Sequence, residues 1–428
     1  MQSKTNPREE LLRDPNFRWL MAGGAVSLLG DQFTLIALPW LVLRMTGDTA
    51  ALGLVLAFIG VPRALFILVG GAVVDRFSPY RVLMLTKHVN AALLAALAFG
   101  VYLGSLPLPA LYALALALGL SSAFSIPSGT SMLPHALSPQ FLAAANSVMM
   151  GLRQLSFFIG PMAAGLLIAL FGDGSGTVHQ PTGIALAFAV DAASFALSAW
   201  TLSRVRLHAP PTIAPSGASL WSSIAEGLRS VRRDRELKAS YLYWTAVALL
   251  VLGPLQIAMP VLAQSQPQLG AAALGLMAGA HGGGTLLGMA VSGARRLRIG
   301  TLGTSLLLAD VVIGLLFVPM GHITSTGQGA ALMLAIGVLG GFMQVAMFTC
   351  IQRRVAPSML GRAMSLFMFI FMGLVSVASA VTGWVLKFVP LSLLFSASGL
   401  LLATVAAIAW IASPMRQIDD GRPVTQAA

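Results

Sequence analysis

Charged residues are scarce in this sequence, and their scarcity excludes a soluble globular protein. Only 9% of the 428 residues are charged, whereas 57% are hydrophobic. A soluble domain carries roughly 25% charged residues to cover its surface. Most of this surface must therefore face lipid, which excludes a secreted enzyme, a nucleic-acid-binding protein and a disordered chain.

Cysteines and cofactor-binding motifs are also lacking. The single cysteine, Cys350, permits no disulfide framework. The sequence has no G-x-x-x-x-G-K-[ST] phosphate-binding loop and no H-E-x-x-H zinc motif. We therefore expect no cofactor, no metal site, no ATP hydrolysis and no enzymatic activity.

Twelve hydrophobic runs, by contrast, are long enough to cross a bilayer as helices. A spanning helix needs about 20 mainly apolar residues, and Gly, Pro and charge clusters separate the runs. The sequence therefore predicts an all-α integral membrane protein. In order, spans 1 to 12 are predicted at 19–43, 51–74, 82–104, 110–131, 141–171, 183–203, 239–262, 272–292, 299–320, 330–351, 363–388 and 391–411.

The distribution of basic residues predicts the orientation of the chain. Most of the 26 Lys and Arg lie before span 1, after spans 2, 8 and 10, in the segment after span 6 and in the tail. The group after span 2 is Arg76, Arg81 and Lys87, whereas Arg44 and Lys387 lie on the other side. By the positive-inside rule, both termini are cytoplasmic. The net charge of +12 then reflects orientation and anionic lipid, not nucleic acid.

The chain also divides into two similar halves. Residues 137–147 resemble 355–365, and Gly70 matches Gly288, both at an offset of 218 residues. A duplicated six-helix unit explains this offset, and such repeats place a substrate site near the bilayer midplane between them. We predict an N-terminal six-helix bundle at 1–203, a cytoplasmic linker at 204–238, and a C-terminal six-helix bundle with a short tail at 239–428.

The linker has two parts. Its beginning is rich in proline, whereas 220–237 carries apolar residues at helical spacing among basic ones. This pattern predicts an amphipathic helix on the inner membrane face. A solvated charged linker is the alternative.

One motif lies between spans 2 and 3. The segment Gly71-Ala-Val-Val-Asp75-Arg76-Phe-Ser-Pro-Tyr-Arg81 resembles the G-x-x-x-D-R-x-x-x-[RK] signature of the major facilitator superfamily, with one extra residue before the last Arg. With twelve spans in two halves, the likeness covers essentially the whole chain. It implies two pseudo-symmetric six-helix bundles, and a conformational latch in which Asp75 contacts the start of span 11 beside Arg362. A helix N-terminus favours such an anion, and Gly71 is expected to permit close helix approach. A simple charged turn is the alternative.

Two further segments indicate which members of that superfamily the chain resembles. Span 5 carries Gly151 and then Gly160-Pro161-Met-Ala-Ala-Gly165, which partly resembles the glycine–proline motif of exporting members of that superfamily. Residues 16–40 resemble the branch that contains siderophore exporters and macrolide-type drug efflux proteins. The resemblance implies export of a bulky, mostly apolar molecule, either drug-like or a siderophore, in exchange for protons.

Five Asp and Arg residues interrupt the apolar sequence of predicted spans. A charge at the bilayer centre costs at least ~2.5 kcal/mol, so we expect these residues to pair or to line a wet cavity. Proton coupling requires a carboxyl that alternates between a charged, wet environment and a dry one, and Asp31 is our first candidate. An Asp–Arg pair that only holds helices together is the alternative for Arg63 and Arg153. The candidates for proton coupling or cavity charge are Asp31, Arg63, Arg153, Asp191 and Asp310.

Weakly polar and sulfur-containing side chains are candidate substrate contacts, because such linings tolerate varied ligands. Core packing is the alternative for any one of them. In span 8, Gly275, Gly279 and Gly283 at four-residue spacing predict a close helix contact. The pocket candidates are Gln32, Phe33, Gln154, Phe157, Gln256, Met259, Gln344 and Met347.

Together these features predict a secondary active transporter that works by alternating access as a monomer. Its expected partners are a small-molecule substrate, protons and membrane lipids. The abundance of Arg, Ala and Gly indicates a bacterial origin and therefore a multi-pass protein of the inner (cytoplasmic) membrane. Two alternatives stay open. One is a lipid or lysolipid flippase on the same fold, with lateral openings between helices. The other is a non-transporting scaffold or sensor.

Overall fold

Helices account for nearly all of the chain that the structure describes. The structure is a computed structural model and describes residues 7–172, 182–207, 234–266, 268–292, 300–355 and 357–418, which contain no β-strand. Twelve helices are long and apolar enough to cross a membrane, which confirms the predicted number. The first six are α1 (Pro15–Thr46), α2 (Thr49–Phe77), α3 (Pro79–Tyr102), α4 (Leu108–Ala136), α5 (Leu142–Phe171) and α6 (Thr182–Ser203).

The second six helices follow the linker. They are α7 (Arg235–Ser265), α8 (Ala271–Val291), α9 (Leu302–Met320), α10 (Thr326–Arg354), α11 (Pro357–Phe369, continuing through Ile370–Leu374 and Val375–Val385) and α12 (Leu391–Ala412). A single π-helical turn interrupts α7 at Ala248–Leu252 and α11 at Ile370–Leu374. Such turns occur often at functional sites, and these two lie in neighbouring helices.

Capping residues, and not hydropathy, set several helix ends. The Asp14 carboxylate accepts a hydrogen bond from the backbone N–H of Phe17, so α1 begins at Pro15, before the predicted start at 19. The Asp48 carboxylate caps α2 in the same way. Likewise α7 begins at Arg235 because Asp234 caps it, four residues before the predicted start. Most of the predicted amphipathic helix at 220–237 lies outside the described residues.

The two groups of six helices pack in equivalent ways. In the first group, α2 packs against α4, α3 against α6, and α1 against α5 and α6. In the second, α8 packs against α10, α9 against α12, and α7 against α11. The groups meet through two pairs, α2 with α11 and α5 with α8. This repeated packing is the arrangement expected of a duplicated unit.

The helix bundle has two ends. The basic face is the end that holds the start of α1 and the turn between α2 and α3. The opposite face holds the turn between α1 and α2 and the end of α11. The charge distribution predicts that the basic face is cytoplasmic.

Candidate functional site

The pair α5 and α8 brings the two halves into backbone contact. A Cβ atom at Gly165 would lie 2.5 Å from the carbonyl oxygen of Ala271, and one at Gly275 would lie 2.3 Å from that of Pro161. A Cβ at Gly279 would lie 2.4 Å from the side chain of Met162. The close helix contact predicted from the glycine spacing is therefore present, and it is made with α5.

The pair α2 and α11 closes the opposite face. The Thr49 hydroxyl donates a hydrogen bond of 2.7 Å to the carbonyl oxygen of Gly383, and Lys387 Nζ lies 2.9 Å from Asp48 Oδ2. Partial burial alone would raise the pKa of Asp48. The hydrogen bonds from Lys387 and from the backbone N–H of Ala50 act in the opposite direction, and together they hold that pKa below its ordinary value. The opposite face is thus closed by contacts between the halves.

Asp31 lies midway along α1 and is nevertheless exposed. Its carboxylate interacts electrostatically with Lys87 on α3, Arg153 on α5 and Arg63 on α2. Because these partners come from three other helices of the same half, Asp31 points into the bundle and not into lipid. Arg153 is also exposed, and Arg63 is partly exposed. Three of the five predicted internal charges therefore converge on one accessible region.

Asp191 lies beside this region but is buried, with 1% of its surface exposed. The hydroxyl of Thr34 on α1 donates a hydrogen bond to Asp191 Oδ2, and the hydroxyl of Ser194 donates one of 3.2 Å to Oδ1. The side chains of Asp191 and Ser194 fill the space that a Cβ at Gly30 would occupy. Asp191 therefore ties α6 to α1 directly behind Asp31.

Lys87 completes the cluster, and its assignment to the cytoplasmic segment after span 2 was wrong. The structure places it inside α3 with 8% of its surface exposed. Its Nζ lies 3.4 Å from Ser27 Oγ and 5.4 Å from the ring centroid of Phe195, and it interacts with both Asp31 and Asp191.

A sequence signal for Lys87 existed. Buried residues of α3 recur at Leu83, Lys87, Asn90 and Leu94, which is helical spacing along one face. The count of basic residues placed Lys87 after span 2, although span 3, predicted at 82–104, already contained it. The helix begins at Pro79, which places Lys87 in its third turn.

Asp310 does not join the cluster. It is 1% exposed, and its Oδ2 accepts a hydrogen bond of 2.6 Å from the hydroxyl of Tyr243 on α7. Its Oδ1 has no hydrogen-bond partner among the residues described. Asp310 is therefore a separate buried acid of the second half.

The predicted latch is only partly visible. The side chains of Asp75 and Arg362 lie outside the described part of the structure. A close helix approach is made one residue before Gly71: a Cβ at Gly70 would lie 2.2 Å from the carbonyl oxygen of Ala123, whereas one at Gly71 would have no described atom within 4 Å. Gly70 and Gly71 point about 100° apart on the helix. Because the side chain of Arg362 lies outside the described part of the structure, the close approach expected at Gly71 stays a prediction.

The glycines of the α5 motif have different surroundings. A Cβ at Gly151 would meet no described atom within 4 Å, one at Gly160 would meet the side chain of Gln32 at 2.4 Å, and Gly165 touches the α8 backbone. Pro161 contributes the carbonyl oxygen that faces Gly275. Close packing between the halves therefore depends on the later part of this motif.

The pocket candidates fall into an exposed group and a buried group. Phe157 is 40% exposed, and the side chains of Gln256 and Gln344 are exposed as well. The amide of Gln154 is buried and donates a hydrogen bond across the halves to the sulfur of Met289. The buried candidates are Gln32, Phe33, Gln154, Met259 and Met347.

A lateral groove lies apart from the charges. It is enclosed by α2, α3 and α4, has a volume of about 610 Å³ and is lined mainly by apolar side chains, among them Phe77, Leu85 and Phe124. Arg81, an exposed residue of the signature motif, lies at its basic-face end, and Arg76 nearby is exposed too. The groove is a lateral opening of the kind that a lipid-handling protein would show.

Comparison with known proteins decides the family. Residues 20–380 match the family model described as Major Facilitator Superfamily. The chain belongs to the Major Facilitator Superfamily. It is therefore a multi-pass membrane transporter and not an enzyme, and the predicted family and fold are confirmed.

Relatives within the superfamily include efflux proteins. The multidrug efflux pump Tap of Mycobacterium tuberculosis (strain ATCC 25618 / H37Rv) is 30% identical over 368 residues, which cover 82% of each chain. The enterobactin exporter EntS of Salmonella typhimurium is 26% identical over 356 residues, covering 81% of this chain and 80% of that one. The crystal structure of the nucleoside transporter NupG matches with a TM-score of 0.73 at 12% identity, covering 92% of this chain and 98% of NupG. The predicted likeness to the siderophore-exporter and drug-efflux branch is confirmed.

Proposed function

We propose that this protein exports a bulky, mostly apolar small molecule in exchange for protons, by alternating access. The observation that carries the proposal is the exposed Asp31, which lies among three cations in a bundle closed at the opposite face. Similarity to Tap and EntS, named as an efflux pump and an exporter, supports the outward direction. The proposed site is the passage between the halves, in a monomer of the bacterial inner membrane.

The charge cluster suggests how a proton would act. Because Asp31 is exposed, its carboxylate can exchange a proton with water in the passage. A proton on Asp31 removes its attraction to Arg63, Arg153 and Lys87, which lie on α2, α5 and α3. Two of these helices, α2 and α5, also form the contacts between the halves. Protonation therefore changes the relative energy of the conformations that differ in those contacts, as coupling requires.

The test is efflux from loaded cells and uptake into inverted membrane vesicles, with and without a protonophore, over chemically distinct compounds. We expect at least one compound to be moved by the wild type, and that movement to be abolished by the protonophore and by Asp31→Asn. Glu9→Gln, which removes an exposed carboxylate outside the spanning helices, should transport normally. Equal transport by wild type and Asp31→Asn for every compound would refute the coupling role of Asp31.

Lipid or lysolipid transport is a second candidate, and the lateral groove favours it. An apolar groove with Arg81 at one end suits an acyl chain with an anionic headgroup. Transfer of a fluorescent phospholipid between the leaflets of proteoliposomes, unaffected by a protonophore, would support this candidate over proton-coupled export.

A further inference from the structure

We infer that the passage selects anions, so that the exported molecule carries at least one negative charge on an apolar body. The inference rests on the proposed function and names the substrate class for the same site. It depends on which internal charges are accessible, which are buried and which already have partners. The charges concerned lie on α1, α2, α3, α5 and α6.

Accessible charge in the first half is predominantly positive. Arg153 and Asp31 are exposed and Arg63 is partly exposed, so two cations accompany one carboxylate. A carboxylate that faces two guanidinium groups neutralises only one of them. The excess positive charge lies between helices, and a cleft with low-dielectric walls concentrates the field of the charges that line it.

The buried charges do not cancel this excess. Lys87 and Asp191 are both buried, at 8% and 1% exposure, and they interact with each other. As one cation and one anion, they balance internally. Lys87 also attracts Asp31. The negative charge of Asp31 is therefore shared among three cations, and less of it neutralises the two arginines.

Neither arginine has a close acceptor among the residues that the structure describes. Arg63 Nε is buried and makes no hydrogen bond within those ranges. Neither Arg63 nor Arg153 forms an ion pair with a described carboxylate, whereas Arg354 pairs with Glu236 and Lys387 with Asp48. Asp31 acts on both only at longer range. A guanidinium binds carboxylate, sulfonate or phosphate through paired N–H donors, so these two arginines are suited to an anionic group of a ligand.

The second half supplies no competing acid to the passage. Asp310, the one acid within the described spans α7 to α12 apart from Glu236 at the start of α7, is buried against Tyr243. The exposed candidates of that half, Gln256 and Gln344, are neutral amides. The described spans of the second half therefore offer exposed neutral amides and no exposed carboxylate that would repel an anion.

Asp31 competes with such a ligand for the same two arginines. Its carboxylate offsets part of the positive charge of Arg63 and Arg153. Removing the Asp31 charge therefore strengthens the attraction of these arginines for an anion.

The test uses two fluorescent probes with one fluorophore and opposite charge, dansylglycine (a carboxylate) and dansylcadaverine (an ammonium). Binding is measured on the purified full chain in lipid nanodiscs at low salt. We expect dansylglycine to bind roughly tenfold more tightly than dansylcadaverine, as expected for one net charge interaction in a partly buried site. Arg63→Gln and Arg153→Gln should each weaken dansylglycine roughly tenfold, Arg153→Lys should weaken it less, and Asp31→Asn should strengthen it.

The control is Arg18→Gln, which removes an exposed arginine at the start of α1 and should leave both affinities unchanged. Because Asp31→Asn predicts a gain, a folding defect cannot imitate the expected pattern. Equal or tighter binding of dansylcadaverine, no detectable binding of dansylglycine, or unchanged probe preference in both Arg→Gln variants would overturn the inference. If anions are preferred but no compound is exported in the vesicle assay, the proposed function fails and the anion site stands.

Discussion

At the residue scale, Lys87 shows what hydropathy does not reveal. Lys87, six residues after the last arginine of the basic motif, was predicted to be cytoplasmic, yet it is buried with its Nζ against the ring of Phe195. Hydropathy reports how long a span is, but the rotation of each helix decides which side chains meet. Asp31, Arg63 and Arg153 could be predicted as internal charges because each interrupts an apolar run. Lys87, which interacts with Asp31 and Asp191, was missed although its helical spacing was a signal. The hydroxyls of Thr34 and Ser194 that contact Asp191 could not be predicted.

Removal of Lys87 is expected to destabilise the first half. Lys87→Met leaves Asp191 buried without its cation, and losing one partner of a buried pair costs about 3 kcal/mol or more. The midpoint of thermal unfolding in detergent should fall markedly. The double variant Lys87→Met with Asp191→Asn should recover much of the loss, and Lys387→Met, at an exposed pair, should change the midpoint little. Equal effects of Lys87→Met and Lys387→Met would contradict the buried cluster.

The ion pair on the opposite face makes a smaller, pH-dependent contribution. Asp48 and Lys387 are both exposed, so their pair stabilises the closed state by about 0.2–1 kcal/mol. Because the pKa of Asp48 is lowered, the pair is intact above the ordinary Asp pKa of about 3.9 and is lost only as pH falls through the lowered value. Spin-label distances across the opposite face should therefore not change between pH 8 and 5 on account of this pair.

Lys387→Gln should widen the same distance distribution slightly at every pH in that range, and Lys387→Arg should not. A sharp opening near pH 6 that Lys387→Gln abolishes would show that this pair, and not Asp31, senses protons.

At the scale of elements, the number of helices could be predicted because each needs a long apolar run, and such runs are unambiguous in a chain with few charges. The helix ends could not, because caps such as Asp14 and Asp48 lie outside those runs. The glycine spacing of α8 correctly predicted a close helix contact but not its partner. The contact of Gly70 with the α4 backbone was not predicted from the signature motif, which names Gly71.

Two glycines of α5 provide a matched test of the contact between α5 and α8. Gly165→Ala places a methyl group 2.5 Å from a backbone oxygen of α8, which a rigid main chain cannot accommodate without moving the helices apart, whereas Gly151→Ala meets open space. We expect Gly165→Ala to abolish transport or reduce it at least roughly tenfold, and to lower thermal stability by about 1–3 kcal/mol. Gly151→Ala should behave like the wild type in both measurements. Similar behaviour of the two variants would argue against backbone contact at Gly165.

At the scale of the whole molecule, the duplicated packing explains both the fold and the position of the charges. The two halves join through α2 with α11 and α5 with α8, and the cluster lies on α1, α2, α3, α5 and α6 of one half. The sequence predicted five internal charges, all but Asp310 in the first half. Asp310 is separate from the cluster and accepts a hydrogen bond from Tyr243 on α7. The internal repeat predicts which helices correspond, but not which of their side chains face each other.

The central claim is that charged side chains survive in the membrane because they face water between the two halves. Substituted-cysteine labelling tests it without a known substrate, in a Cys350→Ala background. Asp31→Cys should react with a charged, membrane-impermeant methanethiosulfonate in inverted vesicles and not in intact cells, because the opposite face is closed and the charge distribution predicts that the basic face is cytoplasmic. Leu29→Cys, about 200° away around α1, should stay unlabelled. Labelling of Leu29→Cys but not Asp31→Cys would place the carboxylate in lipid and contradict the account.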